Sequence, residues 1–271
     1  MKDYRYVRQL YIIPDRERID ESIALSEEIG ANFEYNDFIY PDVLCSKKKI
    51  DEIISFYEGL GRDMSCDTAH GAFFDITVHS SDKDIARISK ERVLTSMDIA
   101  SDMGLRGVVF HTNFTPNFFD DSYMRNWVDK NIESFGEVLK KYPKTEVYIE
   151  NMFDMNPDGI RALANSFSRL DKDSQNRIGI CLDYAHINAF SDNDEAWVRE
   201  LAPYIRHIHL NDNDMVRDSH DTIGRGRIDW NLFDARMKKY EVNASVLLEI
   251  NDINKQKESY DFLKRNHIYP F

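Results

Sequence analysis

Residues 205–230, IRHIHLNDNDMVRDSHDTIGRGRIDW, gather side chains able to hold a metal ion. Ile205, Ile208 and Leu210 alternate as in a buried strand and carry His209 to its exit. Polarity then rises, and Asp218 and His220 follow in the next loop. Two imidazoles and a carboxylate in one strand–loop unit suit a borderline divalent ion such as zinc. Taken alone, the segment reads equally well as a polar surface loop beside one satisfied histidine. Gly224 and Gly226 lack the Lys-Ser/Thr that completes a P-loop, so they are expected to allow a turn rather than to cradle phosphate.

The same arrangement recurs along the chain. Short apolar runs end at His70, His111, Glu150, Asp183, His209 and Glu249, and His186 follows Asp183 at i+3. Five of the eight histidines fall at these exits or in the loops that follow them. One such carboxylate would be an ordinary helix cap or ion-pair partner, but six successive strand ends point to a site. His79, His207 and His267 lack a ligand-like setting. His207, one layer deeper than His209 on the same strand face, suits packing or a hydrogen bond to a ligand.

Eight strand–helix units place these residues. The strands are read at 8–13, 32–38, 64–70, 107–111, 146–150, 178–183, 205–209 and 245–249. Helices are read in the intervals, with stops at Gly30, Gly61 and Gly104 and a helix start at Asn156-Pro157-Asp158. Eight alternating units with no linker or repeat predict one α/β domain over 1–271, a (β/α)8 TIM barrel with its site at the C-terminal ends of the strands.

Composition narrows the function. Of 271 residues, 42% are hydrophobic, enough for a large core, and 35 Lys plus Arg stand against 48 Asp plus Glu for a net charge of -13. That balance disfavours non-specific attraction to nucleic acid or anionic membranes. No apolar run approaches the roughly 20 residues of a membrane span, and MKDYRYVRQL has no secretory core. Cys45, Cys66 and Cys181 are scattered, which fits a reduced, cytoplasmic protein. Self-association as a homo-oligomer is left open.

The segments AHGAFF, VVFHTN, VYIEN, CLDYAH, HIHLND, DSHDTIGRGRIDW and LLEIND together resemble the xylose isomerase-like TIM-barrel superfamily, from about residue 66 to 252. That superfamily holds sugar isomerases and epimerases and the endonuclease IV-type AP endonucleases (AP endonuclease family 2). The resemblance implies that Glu150, Asp183, His209 and Glu249 form the four-ligand metal site of its epimerases. It also implies that His70, His111, His186, Asp218 and His220 match the further positions of a three-metal cluster in its endonucleases. One to three divalent ions, zinc or manganese, are therefore expected.

Two chemistries follow. For a sugar, the ion would grip the carbonyl and a neighbouring hydroxyl of an open-chain ketose. Glu150 and Glu249 would then remove and return a proton through an enediolate, with His186 and Arg217 on substrate oxygens. The chain lacks a lysine after the fifth strand and a His-Asp ring-opening pair, which argues against xylose isomerisation itself. For nucleic acid, the alternative, a zinc cluster would support hydrolysis at abasic DNA sites. Arg217, Arg225 and Arg227 could then meet phosphates, but GAFFDITVHSSD after His70 does not match the endonuclease loop that enters DNA. The sugar is the preferred partner. A non-catalytic metal-binding barrel would need a closed ligand shell, which nine polar side chains rarely form. Phe73, Phe74, Phe118 and Phe119 are candidates for a sugar-pocket lining or for core.

Overall fold

The computed structural model describes residues 9–73, 75–111, 113–115, 120–191 and 193–271. Its strands are β1 (Leu10–Ile12), β2 (Ala31–Tyr35), β3 (Thr68–His70), β4 (Gly107–His111), β5 (Glu146–Glu150), β6 (Ile178–Asp183), β7 (Ile205–Leu210) and β8 (Ser245–Leu248). All pair in sequence order in a closed parallel barrel with helices between successive strands, the (β/α)8 class expected. The N-terminal start expected for β1, Arg8, lies outside the described residues.

The chain divides into two compact units: Met1–Glu34 with Asn151–Arg161 and Gly179–Phe271, and Tyr35–Glu150 with Ala162–Ile178. In the first, β8 pairs with β1 and β7, β1 with β2, and β6 with β7. In the second, β4 pairs with β3 and β5. The registers set up the chemistry. Asp183 lies opposite His209 across β6 and β7, and His111 lies opposite Glu150 across β4 and β5. Most strand residues are apolar and buried, as expected for parallel strands covered on both faces; Glu34 and His207 are buried polar exceptions.

Helix ends follow local chemistry. Gly30 closes the helix Ile19–Ile29 in the left-handed region at φ 68°, which its missing Cβ permits. Asp82, Asp120, Asp229 and Asp252 each cap a helix by accepting backbone N–H bonds. Three short helices were not read from the sequence: Pro41–Leu44, Lys172–Gln175 and Tyr184–Phe190. Each is too short to show a 3.6-residue apolar period; Asp171 and Asp183 cap the last two, and the first begins on Pro41 without a side-chain cap. The last matters most, because it carries His186. Among the described residues no helix is long and apolar enough to cross a membrane.

Candidate metal centre

In the second unit, three strand ends bring together His70, His111 and Glu150, all buried. Glu150 Oε2 lies 3.2 Å from His70 Nε2 and 2.8 Å from His111 Nε2. His70 Nδ1 is 3.1 Å from the Gly71 carbonyl. That bond puts the ring proton on Nδ1 and turns the Nε2 lone pair towards the carboxylate. Phe73 packs edge-on against His111, with ring centres 4.4 Å apart, and meets His70 at 5.7 Å, so it walls the trio rather than standing apart as core. Phe74, Phe118 and Phe119 lie outside the described residues.

In the first unit, His209 stands between two carboxylates. Its Nδ1 is 3.4 Å from Glu249 Oε2 and its Nε2 is 3.1 Å from Glu34 Oε1. The second oxygen of Glu34 is 3.2 Å from His207 Nε2. His207 Nδ1 meets Ser245 Oγ at 2.7 Å, and the Ser245 hydroxyl donates to the Arg206 carbonyl at 3.1 Å. His207 is therefore a supporting group, as its deeper layer suggested. Glu34 is wholly buried. Burial pushes its carboxyl up, but the imidazoles of His209 and His207 outweigh that and hold it well below the usual carboxylate range.

Asp183 also caps the helix Tyr184–Phe190: its Oδ1 accepts from His186 N at 2.7 Å. Asn151 clamps the same point. Its side chain accepts from Asp183 N and donates to Asp183 O, both at 2.9 Å. The cap turns His186 back over the strand end, where its Nδ1 donates to the Asn151 carbonyl at 2.8 Å and its Nε2 faces Asp218 Oδ2 at 3.3 Å. Opposite, His220 donates from Nδ1 to the Glu249 carbonyl at 2.8 Å and presents Nε2 to the same Asp218 oxygen at 2.8 Å. Asp218 Oδ1 is buried with no hydrogen-bond partner among the described residues. Burial lowers the basicity of His220, yet Glu249 and Asp218 lift it to about 10. Burial raises the Asp218 carboxyl, and His186 and His220 reverse this and drive it far below its ordinary value.

The loop bearing Asp218 and His220 is built around Asp212. Its buried carboxylate accepts from the backbone N–H groups of Asn213, Gly224 and Ile228 and from Trp230 Nε1. Gly226 lets the chain pass over it, since a Cβ there would sit 2.2 Å from Asp212 Oδ1. The glycines thus serve a turn. Arg217 is exposed and pairs with Asp214, its Nη2 3.1 Å from Oδ2. Arg225 pairs with Glu258. His79 is buried against Tyr123, Nε2 to hydroxyl 3.3 Å, and burial pushes it down to about 4.

The donor set fits a divalent cation. Zinc ligands at about 2.1 Å in tetrahedral array stand about 3.4 Å apart, and the His209 Nδ1–Glu249 Oε2 separation is 3.4 Å. Asp218 offers a second such arrangement: its Oδ2 faces two oriented imidazoles, and its buried Oδ1 has no hydrogen-bond partner among the described residues. Sequence reasoning named nine of these residues as candidates, noted Asn151 only as the neighbour of Glu150 in VYIEN, and did not name Glu34 or Asp212. Glu34 carried a signal: a carboxylate in the apolar run ANFEY of β2.

The profile of xylose isomerase-like TIM barrels matches residues 38–266. The chain belongs to that family. The match begins well before residue 66, so the family likeness takes in the second strand–helix interval too. An uncharacterised protein of Methanocaldococcus jannaschii, MJ1614, is 26% identical over 191 residues, 68% of this chain and 70% of that protein. A D-tagatose 3-epimerase-like protein of known structure shares the family fold at TM-score 0.70 and 19% identity, over 94% of this chain and 96% of its own. D-psicose 3-epimerase from Clostridium cellulolyticum H10, solved with D-tagatose, gives TM-score 0.65 at 16% identity, over 95% and 98%.

Proposed function

We propose that this family member is a divalent-metal-dependent sugar isomerase or epimerase acting on a ketose or related sugar. The observation that carries the reading is the set of buried carboxylates and oriented imidazoles at successive strand ends, in a fold shared with a solved ketose 3-epimerase. Glu150, Asp183, His209 and Glu249 would hold one cation, zinc or manganese, which would supply Lewis-acid polarisation of the substrate carbonyl.

The chain's own residues then account for the proton. One carboxylate, Glu150 or Glu249, takes the proton from the carbon beside the carbonyl, and the C–H electrons move into an enediolate. The other returns a proton to the opposite face, inverting that carbon. His186 and Arg217 hold substrate oxygens; Arg217 must exchange its Asp214 pairing to do so. The reading includes a cytoplasmic setting. Glu249→Gln is expected to abolish ketose turnover while the fold, checked by circular dichroism, persists; a variant that still turns over would remove Glu249 from the catalytic set.

A second reading is supported by the two further clusters, His70–His111–Glu150 and His186–Asp218–His220. They provide ligands for up to three ions, which suits phosphodiester hydrolysis at abasic DNA. Against it, Arg217 and Arg225 are engaged by carboxylates and the chain is strongly acidic.

A further inference from the structure

Four of the candidate ligand histidines are held in two different ways. His70, His186 and His220 each commit Nδ1 to a backbone carbonyl, at 3.1, 2.8 and 2.8 Å, and present Nε2 to a carboxylate. His209 is turned round: Nε2 faces Glu34 at 3.1 Å, and Nδ1 faces Glu249 at 3.4 Å. The carboxylate against its Nε2 comes from another strand, β2.

We propose that Glu34 is a positioning residue for the metal centre. Its carboxylate accepts the Nε2–H of His209, fixes that tautomer, and aims the Nδ1 lone pair at the cation beside Glu249. The proposal rests on reading His209 and Glu249 as ligands.

Three observations support the assignment. First, Glu34 is fully buried within β2, where a carboxylate is expensive unless it is paired, and an apolar residue would otherwise suit the strand. Second, each of its oxygens lies against an imidazole: Oε1 is 3.1 Å from His209 Nε2, and Oε2 is 3.2 Å from Nε2 of His207, a ring that itself meets Ser245. A carboxylate buried between two rings has little room to swing away and let the His209 ring flip. Third, a carboxylate behind a ligating imidazole fixes the ring and raises its basicity, and loss of such a partner typically weakens metal binding by about 10–100-fold. Glutamine at this position keeps the shape but sets an N–H₂ against one of the two rings and removes the charge.

The test uses the full-length protein, labelled with 15N-histidine and loaded with 113Cd, with His209 assigned from a His209→Gln variant. Cadmium coupling to Nδ1 of His209, with the proton on Nε2, is expected. Coupling to Nε2 would overturn the proposal while leaving His209 a ligand. Absence of coupling to either nitrogen would overturn the ligand reading beneath it. In Glu34→Gln, zinc affinity from chelator competition should fall 10–100-fold and the Nε2–H signal of His209 should be lost, with Glu34→Asp intermediate. A folded Glu34→Gln that binds zinc as tightly as the parent, with the same His209 tautomer, would also overturn it.

Discussion

Replacing Asp212 by asparagine should release the loop that carries Asp218 and His220, and the size of the effect follows from four bonds. Oδ1 accepts from Asn213 N at 2.9 Å and Ile228 N at 3.2 Å; Oδ2 accepts from Gly224 N at 2.8 Å and Trp230 Nε1 at 2.9 Å. The Asp212 backbone also pairs with Asp221 in both directions, at 2.8 and 2.9 Å, so the two ends of the loop close on this residue. Asparagine retains one oxygen and sets an N–H₂ against two of the four donors. Each lost bond to a charged acceptor is worth about 1.5–3 kcal/mol, and the abandoned donors stay buried, giving a loss of about 3–6 kcal/mol. That is a large part of the roughly 5–15 kcal/mol that holds a typical protein folded. Urea unfolding followed by circular dichroism measures it. Zinc stoichiometry at low denaturant should fall as well, because Asp218 and His220 lose their placement. An Asp212→Asn protein within about 1 kcal/mol of the parent would refute the claim that this carboxylate organises the loop.

Gly226→Ala should lower the melting temperature, because its Cβ would meet Asp212 Oδ1 at 2.2 Å and the Asn213 carbonyl at 2.5 Å. Overpacking of this kind typically costs about 1–3 kcal/mol, and an unchanged melting temperature would contradict the close approach. His79 binds its proton only near pH 4 when folded, against 6.5 for a free imidazole. Its neutral form therefore contributes stability that is complete above 6.5 and lost as pH falls towards 4. Melting temperatures across that window should drop less in His79→Gln than in the parent; equal slopes would remove His79 as the cause. His220→Ala should reduce the zinc bound per chain, read by metal analysis after dialysis. An unchanged ratio would confine binding to the remaining residues.

Much of the barrel was legible in the sequence because parallel buried strands are short apolar runs with a polar residue at the exit. Glu146–Glu150 and Ile178–Asp183 match their expected bounds. Strand β3 is shorter than expected, because the chain at 64–67 forms a turn in which Asp67 N bonds to the Met64 carbonyl. The candidate ligands were visible because each ends a strand or sits in the loop after it. What supports them was not. Glu34 is placed by β2, some 170 residues before the rings it holds, and local periodicity carries no information about that pairing. Asp212 looked like one more polar residue in NDND, since its four donors come from as far as Trp230. Asn151 was visible only as a neighbour of Glu150; its clamp on Asp183 needs two strands in place.

The most direct test of the sugar-epimerase account is hydrogen exchange on a panel of ketoses, in deuterated water, with protein loaded with zinc or manganese. Each sugar is followed by proton NMR. The account predicts deuterium at the carbon beside the carbonyl of at least one ketose, together with its epimer, and no exchange with Glu150→Gln or Glu249→Gln. If no ketose exchanges while the same metal-loaded protein cuts a duplex at an abasic site, the account is contradicted and the hydrolytic reading takes its place.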